Sequence, residues 1–325
     1  MPNPHGNSRT VAMISFTCFL ILAAGIALYL MHHPELFDLT RNITIGSGIQ
    51  LFILSALTLA VNGLFLRIFT SKFNMQLKTM EWFGLASITS MGNYLTPFSG
   101  GLIARAAYLK HRFDFPYGQF LTMLTANYMV TFAAISLIGI LVMLTLSGTE
   151  HSSWPVILLF VTALLAIFLL SIFPSITRGR RSRLLRLANR ATEGLDLIRR
   201  DKILIGKLIA LTLVNIMIGA LIFSVAFRSL GLTIPFRTAL LIYLLSSFSV
   251  LINITPGNLG VQEVTTSLAA EILGVGADTG LLASLIIRAI TILAALTFGP
   301  VFSYLLSKEL AASKSGARSE NKEIP

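Results

Sequence analysis

Leu95-Thr96-Pro97-Phe98-Ser99-Gly100-Gly101 and Ile254-Thr255-Pro256-Gly257-Asn258-Leu259-Gly260 each interrupt a long apolar stretch. Proline removes a backbone donor and glycine relaxes the chain, so a regular helix cannot run undisturbed through either. Both breaks have a long hydrophobic segment upstream and another downstream. Paired interruptions at corresponding places in the two halves of a membrane chain point to a substrate path through the bilayer. The match extends to residues: Asn93-Tyr94-Leu95-Thr96-Pro97 is echoed by Asn253-Ile254-Thr255-Pro256, and Gly101 falls at the spacing of Gly260.

Composition sets the environment. The 325 residues are 54% hydrophobic and 12% charged, with mean hydropathy +0.79. A soluble domain carries roughly 25% charged residues. The apolar runs 11–31, 48–69, 119–146, 154–173, 203–227 and 279–306 reach or approach the ~20 residues that cross a hydrocarbon core. A net charge of +11 then reads as a topology signal, with nucleic acid excluded as a partner. The run 11–31 is too long for a signal-peptide core and no small-residue cleavage pattern follows it, so it is expected to remain as the first span. Cys18, the only cysteine, reads as a small buried or lipid-facing residue.

The expected fold is all-α: a polytopic membrane protein with six spanning helices and two re-entrant or broken helical hairpins, over 82–110 and 236–273, arranged as an inverted repeat. Lys/Arg bias orients it. Residues 177–202 carry Arg178, Arg180, Arg181, Arg183, Arg186, Arg190, Arg199, Arg200 and Lys202. That stretch, the Lys72/Lys78 loop and the tail with Lys308, Lys314, Arg318 and Lys322 fall on the cytoplasmic side. Both termini are therefore expected inside, in the cytoplasmic (inner) membrane. The first hairpin then opens to the cytoplasm and the second to the outside. As one integral membrane domain, the chain divides into a first span (11–31), repeat 1 with a following span (48–173), a basic connector (177–202), repeat 2 (203–306) and a flexible tail (307–325). Leucines among the connector's arginines suit an amphipathic helix on the headgroups or a plain charged linker.

Backbone freed by a proline inside lipid must face protein or water. The segment after Pro256 is expected to open a helix near Asn258 or Leu259, and Ser99–Gly101 to precede one beginning about Leu102. A helix start presents free N–H groups and partial positive charge, which suits phosphate or carboxylate. The candidate binding residues are accordingly Pro97, Gly100, Gly101 and Arg105 at the first break, and Pro256, Gly257, Asn258, Gly260, Glu263 and Arg288 at the second. Intramembrane charge is costly and marks function by default. Glu263 reads as a helix-start partner, a proton carrier or an ion-pair partner, and pairing with Arg288 would offset both burial costs. Arg105 reads either as a cavity-facing cation or as a headgroup anchor beside Lys110 and Arg112. Asn62, Asn93, Asn127, Asn215, Asn253 and Gln262 suit interhelical hydrogen bonds; Asn127 follows Pro97 at nearly the interval at which Arg288 follows Pro256.

No phosphate-binding Gly-x-x-x-x-Gly-Lys-Ser/Thr loop is present, no His-Glu-x-x-His, and no zinc-spaced Cys/His set. No cofactor, metal or catalytic set is expected.

Pro256-Gly257-Asn258-Leu259-Gly260-Val261-Gln262-Glu263 followed by the intramembrane Arg288 resembles the lysylphosphatidylglycerol synthase transmembrane-region family, also described as flippase-like membrane proteins. Pro97, Gly101 and Arg105 resemble that family's other signature. The likeness covers about residues 14–306. Leu102 stands where the family often has an acid, and Asn127 where it often has a charge. Synthase members attach a soluble aminoacyl-transferase domain; this chain ends soon after its last span, so lysyl transfer is not expected. The resemblance implies translocation of a lipid or lipid-linked substrate. Chemistry at the breaks favours an anionic, phosphate-bearing headgroup met by the two helix starts, Arg105 and Arg288, with membrane lipids as partners. The rivals are a membrane-embedded lipid-modifying transferase, with Glu263 as its acid, and an accessory subunit that docks a separate lipid or envelope biosynthesis enzyme through 177–202.

Overall fold

The computed structural model describes residues 41–96, 99–145, 154–172, 201–252 and 255–320, with positions 25, 28, 31 and 32. Pro97, Phe98, Asn253 and Ile254 lie outside the described residues, as do all but positions 25, 28 and 31 of the expected first span and all but 201 and 202 of the basic connector.

All regular structure among these residues is helical. In chain order the α-helices are α1 (Ile45–Ser71), α2 (Thr79–Leu95), α3 (Gly100–Phe113), α4 (Tyr117–Thr145), α5 (Trp154–Ile172), α6 (Lys202–Ser229), α7 (Phe236–Ser246), α8 (Val261–Ile272) and α9 (Ala277–Glu320). Local chemistry sets their starts. The Thr44 hydroxyl accepts from the Ser47 amide at 3.2 Å ahead of α1. The Asp201 carboxylate accepts from the Ile203 and Leu204 amides, both at 3.0 Å, ahead of α6. Among the described residues, four helices are long and apolar enough to cross a membrane: Ile45–Ser71, Tyr117–Thr145, Lys202–Ser229 and Ala277–Leu310 of α9. They answer to four of the six expected spans. The expected span over 154–173 forms α5, a 19-residue apolar helix of about 28 Å that is not one of the four.

The hairpins form where the breaks place them. α2 and α3, of 17 and 14 residues, are about 25 and 21 Å long. In the second hairpin α7 continues as a 3-10 segment (Ser247–Ile252), a second 3-10 turn covers Pro256–Asn258, and α8 returns. Two expected helix starts move: α3 begins at Gly100, before Leu102, and α8 begins at Val261, beyond Asn258. The second shift has a local cause. Gly257 and Asn258 both have φ +59° and Gly260 has φ +87°, so the helical path is entered only after them.

The two halves interlock. α2 packs along α9, and α1 along α6. Phe83 of α2 meets Phe298 and Phe302 of α9 at ring separations of 5.6 and 5.3 Å. The end of α2 touches the 3-10 turn of the second break. One hairpin is anchored more firmly than the other: α8 packs along α9, whereas α3 barely meets α4. Lipid tails offer no hydrophobic incentive for helices to associate, so such contacts rest on close packing and interhelical hydrogen bonds.

One end of the bundle gathers basic side chains. Lys72, after α1, lies 2.5 Å from Asp201, and Lys78, before α2, lies 3.7 Å from Glu309 near the end of α9. There Glu81 is nearly inaccessible. It accepts from the Lys78 amide at 2.8 Å and from the Tyr108 hydroxyl at 3.3 Å, and Arg112 Nε stands 3.8 Å away. The start of α2 and the end of α3 are thereby tied together.

Candidate functional site

The second break is held by a buried ion pair. Glu263 sits in the first turn of α8, and its Oε2 accepts from the Gly260 amide at 2.7 Å. Its Oε1 accepts from Arg288 Nε, reaching across from α9. The guanidinium is then used almost to capacity: Nη1 donates to the Gly257 carbonyl at 2.7 Å, and Nη2 to the Asn258 carbonyl at 3.3 Å and to Gln262 Oε1 at 3.1 Å. Glu263 is 0% exposed and Arg288 6%. A buried pair is tolerated when the remaining donors and lone pairs are satisfied, and these are. The carbonyls that the irregular turn frees inside lipid find their donors on the same arginine.

The first break is tied more locally. Ser99, in the left-handed region at φ 55°, precedes α3. Asn93 Oδ1 accepts from the Gly101 amide at 3.1 Å. The return arm passes so close to α2 that a Cβ on Gly101 would lie 1.9 Å from the Thr89 carbonyl oxygen. One turn further, Arg105 Nε donates to the Thr89 hydroxyl at 2.8 Å. Among the described residues no carboxylate comes within ion-pairing distance of Arg105.

Two cavities lie between the hairpins. The larger, about 410 Å³, is bounded by Gly257, Asn258 and Gln262 of the second break, by Tyr94 and Ser90 of α2, by Tyr128 of α4 and by Asn215 and Tyr243. The smaller, about 330 Å³, holds Arg105 with Asn62, Thr89, Asn93, Asn127 and Tyr128. Thr58, Ser90, Asn93, Tyr128 and Ile222 border both, so the two are adjoining compartments of one hollow. Among the described residues, Arg105 is the only charged side chain on either lining.

The ten residues singled out from the sequence separate accordingly. Arg105, Gly257 and Asn258 line the hollow. Gly100, Gly101, Pro256, Gly260, Glu263 and Arg288 frame it without lining it, and Pro97 lies outside the described residues. Each expected helix-start anion site has an amide already taken by the chain's own oxygen, from Glu263 at Gly260 and from Asn93 at Gly101. Asn127 and Arg105 border the same compartment. Sequence reasoning passed over Tyr94, Tyr128, Thr89 and Glu81. Tyr94 was legible as a polar aromatic beside Asn93 just ahead of a break. Glu81 was legible as an acid three residues after Lys78 at a helix start. Among the described residues no His, Cys, Asp and Glu side chains gather to hold a metal ion.

A bundle of long apolar helices with two broken hairpins closing on a polar hollow defines a multi-pass α-helical membrane protein. Residues 12–299 match the family described as the lysylphosphatidylglycerol synthase TM region, and the chain belongs to it. No curated protein and no solved structure matches the chain.

Proposed function

We propose that this protein is a flippase-like transporter that moves a lipid or lipid-linked substrate with an anionic, phosphate-bearing headgroup across the cytoplasmic membrane. One observation carries the reading: among the described residues, the hollow between the hairpins has a single charged lining residue, the cation Arg105, with no carboxylate against it. A guanidinium in a low-dielectric site suits the two oxygens of a phosphate. The headgroup enters where α3 and α4 scarcely touch, past the exposed Tyr128, while the acyl chains stay in lipid. The order of a long helix, a broken hairpin and a long helix occurs twice, over 45–145 and 202–310. With the run 11–31 as a span and α5 as another, that order gives six spans and an inverted repeat. The basic end of the bundle then faces the cytoplasm, with both termini. Gly257, Asn258 and Arg105 meet the substrate, and Glu263 and Arg288 hold the second break in shape.

The transferase alternative needs an acid that reaches the substrate. Glu263 has both carboxylate oxygens engaged and no exposed surface, which weighs against it as a catalyst and equally as a proton carrier. The accessory-subunit alternative rests on the connector 177–202.

The test is translocation by the purified chain in proteoliposomes, read as loss of bilayer protection of a fluorescent phosphatidylglycerol. Wild type is expected to accelerate exchange, and Arg105→Gln to return it to the protein-free rate with the fold intact. No acceleration by wild type for any of a panel of lipids would remove the transport reading.

A further inference from the structure

Arg105 and Arg288 use their guanidinium groups in opposite ways. Arg288 places Nε on Glu263 and spends both Nη groups on the second break and Gln262. Arg105 makes one hydrogen bond among the described residues, from Nε to the Thr89 hydroxyl at 2.8 Å. Its Nη1 and Nη2 are neither hydrogen-bonded to the described residues nor fully buried, and Arg105 borders the smaller compartment together with Thr89. Thr89 is built for this contact. It is 5% exposed, and its own hydroxyl hydrogen goes back to the Leu85 carbonyl at 2.6 Å. A lone pair is thereby left for Nε. Thr58, Thr125 and Thr212 bond back to their helices in the same way, yet none of them accepts a hydrogen bond among the described residues. Two glycines set the reach. A Cβ on Gly92 would fall 2.7 Å from the Gly101 Cα, and one on Gly101 would meet the Thr89 carbonyl oxygen. α3 therefore lies directly on the backbone of α2 one turn before Arg105, which brings Nε onto the hydroxyl.

We infer that Thr89 is the positioning residue for the anionic headgroup: by holding Nε it aims the guanidinium end-on, with Nη1 and Nη2 presented as a pair to the smaller compartment. The inference rests on the transport reading and names what orients its cation. A guanidinium grips two oxygens either side-on, through Nε and one Nη, or end-on, through both Nη groups. Thr89 occupies Nε, so the side-on grip is closed and the end-on grip stays open. Without the hydroxyl, the Nε hydrogen has to find another acceptor, and the fork turns with it.

The choice of a hydroxyl matters. A carboxylate at position 89 would orient Nε equally well but would cancel the charge that the ligand needs. A neutral acceptor fixes the direction of the group and leaves its charge whole, as Glu263 does not for Arg288. The arrangement also separates arginine from lysine. Lysine has no side donor for Thr89 and no fork, so charge alone does not reproduce the site.

Orientation can be read without transport. Purified full-length protein in micelles is titrated with a short-chain phosphatidylglycerol. Thr89→Val, which keeps the shape and loses the hydroxyl, should weaken binding about tenfold, the equivalent of one charge-assisted hydrogen bond. Thr89→Ser, which keeps the hydroxyl, should bind like wild type. Arg105→Lys should bind as weakly as Thr89→Val, and adding Thr89→Val to it should change binding no further. A merely structural threonine would not behave so, because a general loosening of α2 would weaken binding in both backgrounds. Equal losses in Thr89→Ser and Thr89→Val would overturn the inference. So would a Thr89→Val effect of the same size in the Arg105→Lys background, or no effect at all. Binding that follows Thr89 in this way without translocation in vesicles would leave the inference standing and remove the transport reading. Translocation by wild type with binding untouched by Thr89→Val would sink this inference alone.

Discussion

Tyr94 of α2 lies against Gly257 of the second break: a Cβ built on that glycine would fall 2.3 Å from the tyrosine Cδ1. This is where the two hairpins meet, and it explains why the second break carries glycine at this position. Gly257 also has φ +59°, a conformation that costs an L-residue roughly 1–2 kcal/mol before any contact is counted. Gly257→Ala is therefore expected to lower the melting temperature of the detergent-solubilised protein, and Gly257→Val to lower it further. Tyr94→Ala should relieve the clash and leave the backbone term. A double-mutant cycle should thus return a favourable coupling between Tyr94→Ala and Gly257→Ala. Additive losses would mean that the two side chains do not touch.

The pair of Glu263 and Arg288 makes a sharper prediction. Removing one member of a buried pair strands the other, at about 3–5 kcal/mol. Arg288→Met also strips donors from the Gly257 and Asn258 carbonyls and should cost more than Glu263→Gln, which keeps an acceptor for the Gly260 amide. Arg288→Lys retains the charge but cannot span Glu263, two carbonyls and Gln262 together, so it should recover only part of the loss. The combined Glu263→Gln and Arg288→Met variant should be markedly less damaged than the sum of the singles. Chemical unfolding in mixed micelles measures all four, and additivity would show that the ion pair is not the brace of the break.

How far sequence reached follows from which forces were local. The breaks were legible because proline and glycine act on their own backbone, and four long spans because hydropathy needs no partner. The pairing of Glu263 with Arg288 was legible because few charges lie in the second half of the apolar sequence. Helix starts at the breaks were not, because left-handed φ at Asn258 and Gly260 depends on how the turn is packed. Nor could sequence tell that Arg288 would spend its donors on the turn's own carbonyls while Arg105 was left facing a cavity. Both are intramembrane arginines after a proline-glycine break, and only the path of the neighbouring helices separates them.

Acid should weaken one contact at the basic end. A hydrogen bond from Lys72, with help from the Leu204 amide, holds the Asp201 carboxyl below the usual carboxylate range. Its folded pKa is depressed, so its stabilisation is present above the unfolded value of about 3.9 and is lost as pH falls through the folded value. Asp201→Asn keeps a capping oxygen for α6 but removes the charge. It should flatten the acid limb of the melting-temperature profile and lower the neutral-pH value by the same small amount, since the pair is partly exposed and screened by solvent. An acid limb identical to wild type would assign that sensitivity elsewhere.

Glu81 should matter more than its place near a helix start suggests. It is 2% exposed and joins the Lys78 amide, the Tyr108 hydroxyl and Arg112, so it locks the ends of both arms of the first hairpin. α3 packs along α2 but barely meets α4. Glu81→Ala removes a cap, leaves the Tyr108 hydroxyl without its acceptor and takes the nearby carboxylate away from Arg112. A loss of about 1–3 kcal/mol is expected, the usual range for a buried group left unsatisfied. Glu81→Gln, which keeps an acceptor oxygen for the Lys78 amide and can donate from its amide nitrogen to the Tyr108 hydroxyl, should keep most of that. Because the loosened element is α3, hydrogen exchange should quicken along 100–113 before it does in α8, whose packing on α9 is independent of Glu81. Uniform quickening across both hairpins would show that Glu81 stabilises the whole bundle, with no special hold on the first hairpin.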